Sequence, residues 1–468
     1  AAISELKEVI RIDPDNAGAH FNLGGAYLGQ DKHDASISEL KEVIRIDPDN
    51  AGAHFNLGTA YLGQDKLEGA IAEFKEVIRI DPDNAIAHNN MGISYIKQDK
   101  LDAAIAEYKK VIRIDPDNAG AHYLLGDAYL RQDKHDASIS ELKEAIRIDP
   151  DNADAHSMLG DLYYRRDDLD AAIAELKEAI RIDPDNAGAH ANLGIIYQAQ
   201  GNPDAAIAEF KEAIRIDPDH AVAHRYLGDT EDEKDEGEVG QDQFAASIPE
   251  FKEAIRIDPD DGLAHYGLGL MYQAQGNFTA AIPEFKEVIR IDPDDANAHF
   301  NLGLAYQEQD KNDASIPELK EAIRIDPDNA GAHFLLGVAY TEQDKLDAAI
   351  SEFKEAIRID PDDAIFHFNL GNAYTEQDKL DAAISEFKEA IRIDPDYASN
   401  HTKLGYLYQA QGDLDAAISE FKEAIRIDPD DASAHFNLGV AYTEQDKPDA
   451  AIAEFKEAGR LDPDLKVT

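Results

Sequence analysis

The chain has 468 residues, 96 of them acidic against 45 basic, giving a formal net charge of −51 at pH 7. That balance excludes a nucleic-acid binder, which needs clustered lysine and arginine, and disfavours an anionic membrane surface. The absence of cysteine removes disulfide scaffolds, thiolate catalysis and cysteine-type metal sites, and leaves the compartment open, cytoplasmic or extracellular.

In chain order, residues 1–16 read as a lone second-helix pattern, a half repeat. From Ala17 a 34-residue phrase recurs thirteen times, beginning at residues 17, 51, 85, 119, 153, 187, 221, 262, 296, 330, 364, 398 and 432. Length alone suggests about three globular domains, but a fixed period in this range signals a solenoid. The predicted organisation is six units over 17–220, a seventh over 221–261, six more over 262–465 and a tail of 466–468. No apolar run approaches the roughly 20 residues of a membrane span, and no secretory signal is visible.

Each unit carries two helical periods. His54, Leu57 and Tyr61 share one face of the first; Ala70, Ile71, Phe74, Val77 and Ile78 share one face of the second. Gln64-Asp65-Lys66 breaks the pair, and Asp81-Pro82-Asp83-Asn84 ends the second helix while supplying a cap for the next. Such short links predict antiparallel hairpins, hence an all-α fold, an α-solenoid in which stacking creates the core. Glycine stands at the eighth place of every unit, Gly24 through Gly439. It disfavours a helix interior by about 1 kcal/mol relative to alanine, so a close helix approach is expected, eased by Ala or Ser at the twentieth place, as at Ala70 and Ser36.

The seventh unit is longer and loses its central tyrosine, and its acidic insertion spans 229–242. That stretch is expected to leave a shortened or distorted first helix as a solvated excursion, serving as a docking loop, a hinge or a tolerated insertion. Pro249, Pro283 and Pro317 fall just inside successive second helices, where proline is tolerated.

Thirteen histidines at the fourth place, His20 through His435, form a ladder. No acidic or thiol partner reads as fixed beside them, so they are expected to be packing residues rather than metal ligands. Buried and neutral, they would lose stability on acidification. The Asp-Pro-Asp loops are expected to cap helices rather than bind calcium, since they lack the oxygen count and turn glycine of such a loop. Asn277 and Asn400 open sequons that matter only in a secreted chain. No residue stands apart from the repeat consensus as catalytic, so the chain is expected to be noncatalytic, with no cofactor and no metal.

Leu57, Gly58, Tyr61, Ala70, Phe74 and Pro82 lie at the spacing of the tetratricopeptide repeat, which nearly the whole chain resembles. One systematic departure is histidine where that family often has tryptophan. The resemblance implies a right-handed superhelix whose first helices line a concave groove that holds partner proteins or peptides. The phrase HxNLG with FKEAIRIDP is similar to the repeat region of O-linked N-acetylglucosamine transferases, without any catalytic domain. There the sixth-place asparagines grip peptide backbone, which points here to Asn22, Asn56, Asn90, Asn192, Asn301, Asn369 and Asn437. Side-chain amides suit that task because they donate and accept together. The fifth-place aromatics Phe21, Phe55, Tyr123, Tyr266, Phe300, Phe334, Phe368 and Phe436 would face the same groove as anchors.

The expected function is therefore a scaffold that presents a long acidic groove to proteins or extended peptides, basic ones preferred, through the second, fifth, sixth, ninth and twelfth places. The alternative is a structural subunit of a filament, in which unsealed ends self-associate by end-to-end stacking. Neither nucleic acid nor membrane insertion is implied.

Overall fold

A computed structural model describes residues 2–235 and 246–462. It forms two compact units, residues 1–234 and 235–468, with 27 helices and no strand among the described residues. The first unit is built from α1 (Ala2–Ile12), α2 (Ala17–Leu28), α3 (His33–Ile46), α4 (Ala51–Gly63), α5 (Leu67–Ile80), α6 (Ala85–Lys97), α7 (Leu101–Ile114), α8 (Ala119–Leu130), α9 (His135–Ile148), α10 (Ala153–Tyr164), α11 (Leu169–Ile182), α12 (Ala187–Ala199), α13 (Pro203–Ile216) and α14 (Ala221–Asp235). The second holds α15 (Ser247–Ile257), α16 (Gly262–Ala274), α17 (Phe278–Ile291), α18 (Ala296–Gln307), α19 (Asn312–Ile325), α20 (Ala330–Glu342), α21 (Leu346–Ile359), α22 (Ala364–Glu376), α23 (Leu380–Ile393), α24 (Ala398–Ala410), α25 (Leu414–Ile427), α26 (Ala432–Glu444) and α27 (Pro448–Leu461). Even numbers are first helices and odd numbers second helices. Hairpins such as α4–α5 and α22–α23 stack in series, α4 packing also on α3 and α22 on α21, which makes each unit an α-solenoid.

Local chemistry sets each boundary. The Asn50 side chain accepts the Ala53 N–H at 3.0 Å and starts α4. At the end of α5, Asp81 leaves helical geometry while its N–H still closes on the Val77 carbonyl. The turn inside each hairpin whose turn is described holds a left-handed residue. Nine aspartates supply it, Asp65 at φ 57° among them, and Gly201, Gly276 and Gly412 do so in three further units. Aspartate is one of the few side-chain-bearing residues that enter this region readily.

Phe74 and Phe353 are fully buried, and so are Leu57, packed with Leu40, and Leu336, packed with Leu319, each such side chain contributing roughly 2–3 kcal/mol by burial. The eighth-place glycine is what lets that ring in. A Cβ built on Gly58 would stand 2.8 Å from Phe74, and one on Gly337 would stand 2.6 Å from Phe353. The close approach is thus to the aromatic or leucine of the partner helix. At two of the twentieth-place serines the hydroxyl ties the pair: Ser36 Oγ donates to the Gly24 carbonyl at 2.8 Å, and Ser138 Oγ to that of Gly126 at 2.7 Å.

The expectation of a shortened first helix in the seventh unit is overturned. α14 runs fifteen residues, longer than any other first helix, because its acidic segment is also helix-compatible. The lost tyrosine is Glu231, whose carboxylate meets Lys211 at 2.9 Å. In most other units the equivalent lysine lies over a tyrosine ring, as Lys177 does over Tyr197 at 5.7 Å. Positions 236–242 of the insertion lie outside the described residues.

Candidate functional site

Three hollows open along the first helices. In the first unit, one of about 400 Å³ crosses α10, α12 and α14 and is lined by Tyr164, Asn192, Ile195, Val222, Arg225 and Tyr226, among others. In the second unit, one of about 390 Å³ is lined by Thr402, Lys403, Tyr406, Ser433 and Asn437 on α24 and α26, with Thr375 of α22 and Phe387. Another, of about 470 Å³, lies between α22 and the start of α24, walled by Ala364, Ile365, Phe368, Asn369, Asp394 and Tyr397. These volumes fall in the range of ligand-sized clefts.

Of the sixth-place asparagines, Asn192, Asn369 and Asn437 therefore line hollows. Asn22 is exposed, Asn56 and Asn90 are half-buried, and none of the three lines any of these hollows. Asn301 is buried and engaged internally: its Nδ2 donates to Asn297 O and Tyr266 Oη, and its Oδ1 accepts from Gln273. An asparagine so occupied has little left for a peptide.

The fifth-place aromatics are half-buried and pack between hairpin layers. Phe55, Phe334, Phe368 and Phe436 stand 5.6–5.9 Å, ring to ring, from the phenylalanine of their own second helix. The Phe21 and Phe300 rings abut Gly52 and Gly331 of the following first helix. Burial pushes the Tyr123 phenol above its ordinary value. Only Phe368 of the fifth-place aromatics walls one of the three hollows. Sequence reading did not single out Ile365, Tyr397 and Tyr406, which are 58%, 47% and 53% exposed. The available signal was Tyr397, which stands at a capping place held elsewhere by Asn, Asp or His; the places of Ile365 and Tyr406 vary from unit to unit.

Asn400 is fully buried in α24, and neither polar atom of its amide has a partner. That closes it to a glycan in the folded chain. Asn277 is exposed, at the N-cap of α17.

The histidine ladder requires a correction. A partner is fixed beside it: His54 Nδ1 meets Glu73 Oε2 at 2.6 Å, His88 meets Glu107 at 2.5 Å, and the same offset of nineteen residues recurs through both units. The other ring nitrogen faces a prolyl carbonyl, as His54 Nε2 does Pro48 O at 3.1 Å. At His333, His367 and His401 the pKa is raised, chiefly by the hydrogen bond to Glu352, Glu386 and Glu420, with burial opposing. Two acceptors on one ring favour the doubly protonated form, so the expected lowering of the pKa by burial does not hold at these three places.

The predicted acidic groove also changes character. Outside α14 the first helices hold six acidic residues, Asp127, Asp154, Asp161, Glu342, Glu376 and Glu444. Most of the chain's acid sits on the second helices and loops. There it forms exposed ladders, such as Arg45 with Glu42 at 2.7 Å and Asp15 at 2.6 Å. Exposed pairs of this kind are screened by solvent and add little to stability.

The family model described as "TPR repeat" matches residues 1–31, 26–65, 60–99, 94–133, 131–166, 160–201, 239–276, 269–310, 308–344, 339–378, 371–412 and 408–446. Two models described as "Tetratricopeptide repeat" match residues 187–220 and 432–465. No curated protein matches the chain. Among similar solved structures, MamA is 28% identical, covering 35% of this chain and 95% of its own, with a TM-score of 0.34. The Cut9–Hcn1 hetero-tetramer of APC/C is 14% identical, covering 95% of this chain and 94% of that one, at 0.40. YrrB, described as a TPR protein with an unusual peptide-binding site, is 23% identical, covering 39% and 95%, at 0.34.

Proposed function

This chain belongs to the tetratricopeptide-repeat family, and from that premise we propose that it is a noncatalytic scaffold holding extended peptide segments of partner proteins in its first-helix hollows. The observation that carries this reading is the placement of Asn192, Asn369 and Asn437 in hollows whose walls mix apolar and aromatic side chains with polar and charged ones. Amides engage peptide backbone of any sequence, and the aromatic walls supply desolvated contact area. Acid on the flanking helices and loops acts at longer range. It raises the encounter rate of basic segments, an effect that weakens with salt.

The test is selection of linear twelve-residue peptides from a random display library against the full chain. Enriched peptides are expected to lose at least about tenfold in affinity against an Asn192→Ala, Asn437→Ala double variant, a loss of the size expected when buried amide contacts are removed. Equal affinity for both proteins would place binding elsewhere and end this reading.

A further inference from the structure

α21, α23 and α25 share one sequence, LDAAISEFKEAIRI, letter for letter. The first helices set between these identical frames, α22 and α24, do not share theirs. Ile365 replaces the glycine found at the second place of α20, as Ile86 and Leu263 do in α6 and α16, and Tyr397 alone takes the capping place filled by Asn329 before α20 and Asp431 before α26. Tyr397 makes no side-chain cap bond to α24. Asn400 sits, unpartnered and fully buried, where α20 has Ala332. Identical frames demand identical packing, so these departures are not required by the fold, and several work against it. Breaks in local rules that gather at one place mark function.

The departures Ile365 and Tyr397 wall the 470 Å³ hollow, each about half exposed. With Phe368, whose ring stands edge-on to Tyr397 at 5.8 Å, they give an aliphatic and aromatic slot. Its polar side is rich in acceptors. Asn369 uses one N–H of its Nδ2 on the Ile365 carbonyl at 2.8 Å, leaving Oδ1 and a second N–H, and the Asp394 carboxylate accepts one backbone N–H, that of Asp396. An apolar slot with an acceptor-rich end fits a side chain with an apolar stem, a flat cationic head and donors only. Arginine has that form: it stacks on aromatic faces and binds carboxylate through two N–H groups.

We propose that the hollow between α22 and α24 is a subsite for an arginine side chain of an extended peptide. The proposal rests on the scaffold reading above, and the surrounding negative charge favours the same ligand.

The test uses the full chain and a small probe, N-acetyl-arginine methylamide, observed by saturation-transfer NMR in moderate salt. The neutral isostere N-acetyl-citrulline methylamide serves as reference. Arginine is expected to receive at least about fivefold more transfer than citrulline, and Tyr397→Asn to abolish the difference, as cation–π and charge-assisted contacts are lost. Tyr397→Asn restores the repeat's own cap and leaves the net charge unchanged, so neither unfolding nor the diffuse acidic field explains a loss. Asp394→Asn is expected to lower arginine transfer while sparing citrulline. Equal transfer for the two probes, or an unchanged arginine preference in Tyr397→Asn, overturns the subsite. Library-selected peptides that still bind in that case would leave the scaffold reading standing.

Discussion

His333 Nδ1 stands 2.7 Å from Glu352 Oε2 on the other helix of its hairpin, while its second ring nitrogen meets the Pro327 carbonyl. The hydrogen bond to Glu352, with Glu355 adding charge, raises the folded pKa. A raised folded value means the contribution is full below the unfolded pKa of about 6.5 and is lost as pH rises through the folded one. Melting temperature should therefore rise from about pH 8.5 to about pH 6.5 at constant ionic strength. Because relief of the −51 charge acts in the same direction, the triple variant His333→Gln, His367→Gln, His401→Gln isolates the ladder by a shallower slope. An unchanged slope would remove these pairs from the explanation.

Gly337→Ala puts a methyl 2.6 Å from the buried Phe353 ring. Overpacking of this kind costs about 1–3 kcal/mol, even though alanine is the better helix former. Hydrogen exchange should show the loss in α20, whose sequence is readable on its own, since repeats sense mainly their neighbours. Gain of protection there would contradict the packing argument.

Asp344 holds φ 57°, where three other units carry glycine at φ 68–81°. Asp344→Gly should be neutral or stabilising, by up to about 1 kcal/mol, and Asp344→Val clearly destabilising, since β-branched residues tolerate this region worst. The urea denaturation midpoint should lie at or above the parent value for Asp344→Gly and below it for Asp344→Val.

Tyr397→Asn should stabilise α24 by about 1 kcal/mol through the restored cap. Asn400→Ala should add about 1–3 kcal/mol by removing a buried amide that has no partner. Local exchange protection in α24 reads both, and a loss of protection in either variant would mean the native residues are supported by contacts beyond those seen.

The hairpin architecture was legible because Leu57, Phe74 and Gly58 repeat at one period, and a stacked core follows from that periodicity. The histidine partner was not, although Glu73 and its counterparts also repeat. They lie nineteen residues away on a different helix, and only the antiparallel hairpin brings them within 2.6 Å. Net charge likewise hid its own distribution: a whole-chain sum does not reveal that α16 and α18 carry no acid. Asn301 shows the limit of carrying a role by position, since its neighbours Tyr266 and Gln273 occupy its amide. Tyr397 was visible only as a break in the pattern and Ile365 only as one residue at a variable place, and their meeting in one hollow required the fold.

The most direct test of peptide holding by first helices is hydrogen–deuterium exchange of the full chain with and without a library-selected peptide. Fragments from α22, α24 and α26 differ in sequence and are separately readable, unlike those from the identical α21, α23 and α25. Protection is expected in first helices that line the hollows, with the second helices little changed. Protection confined to second helices and acidic loops would contradict it.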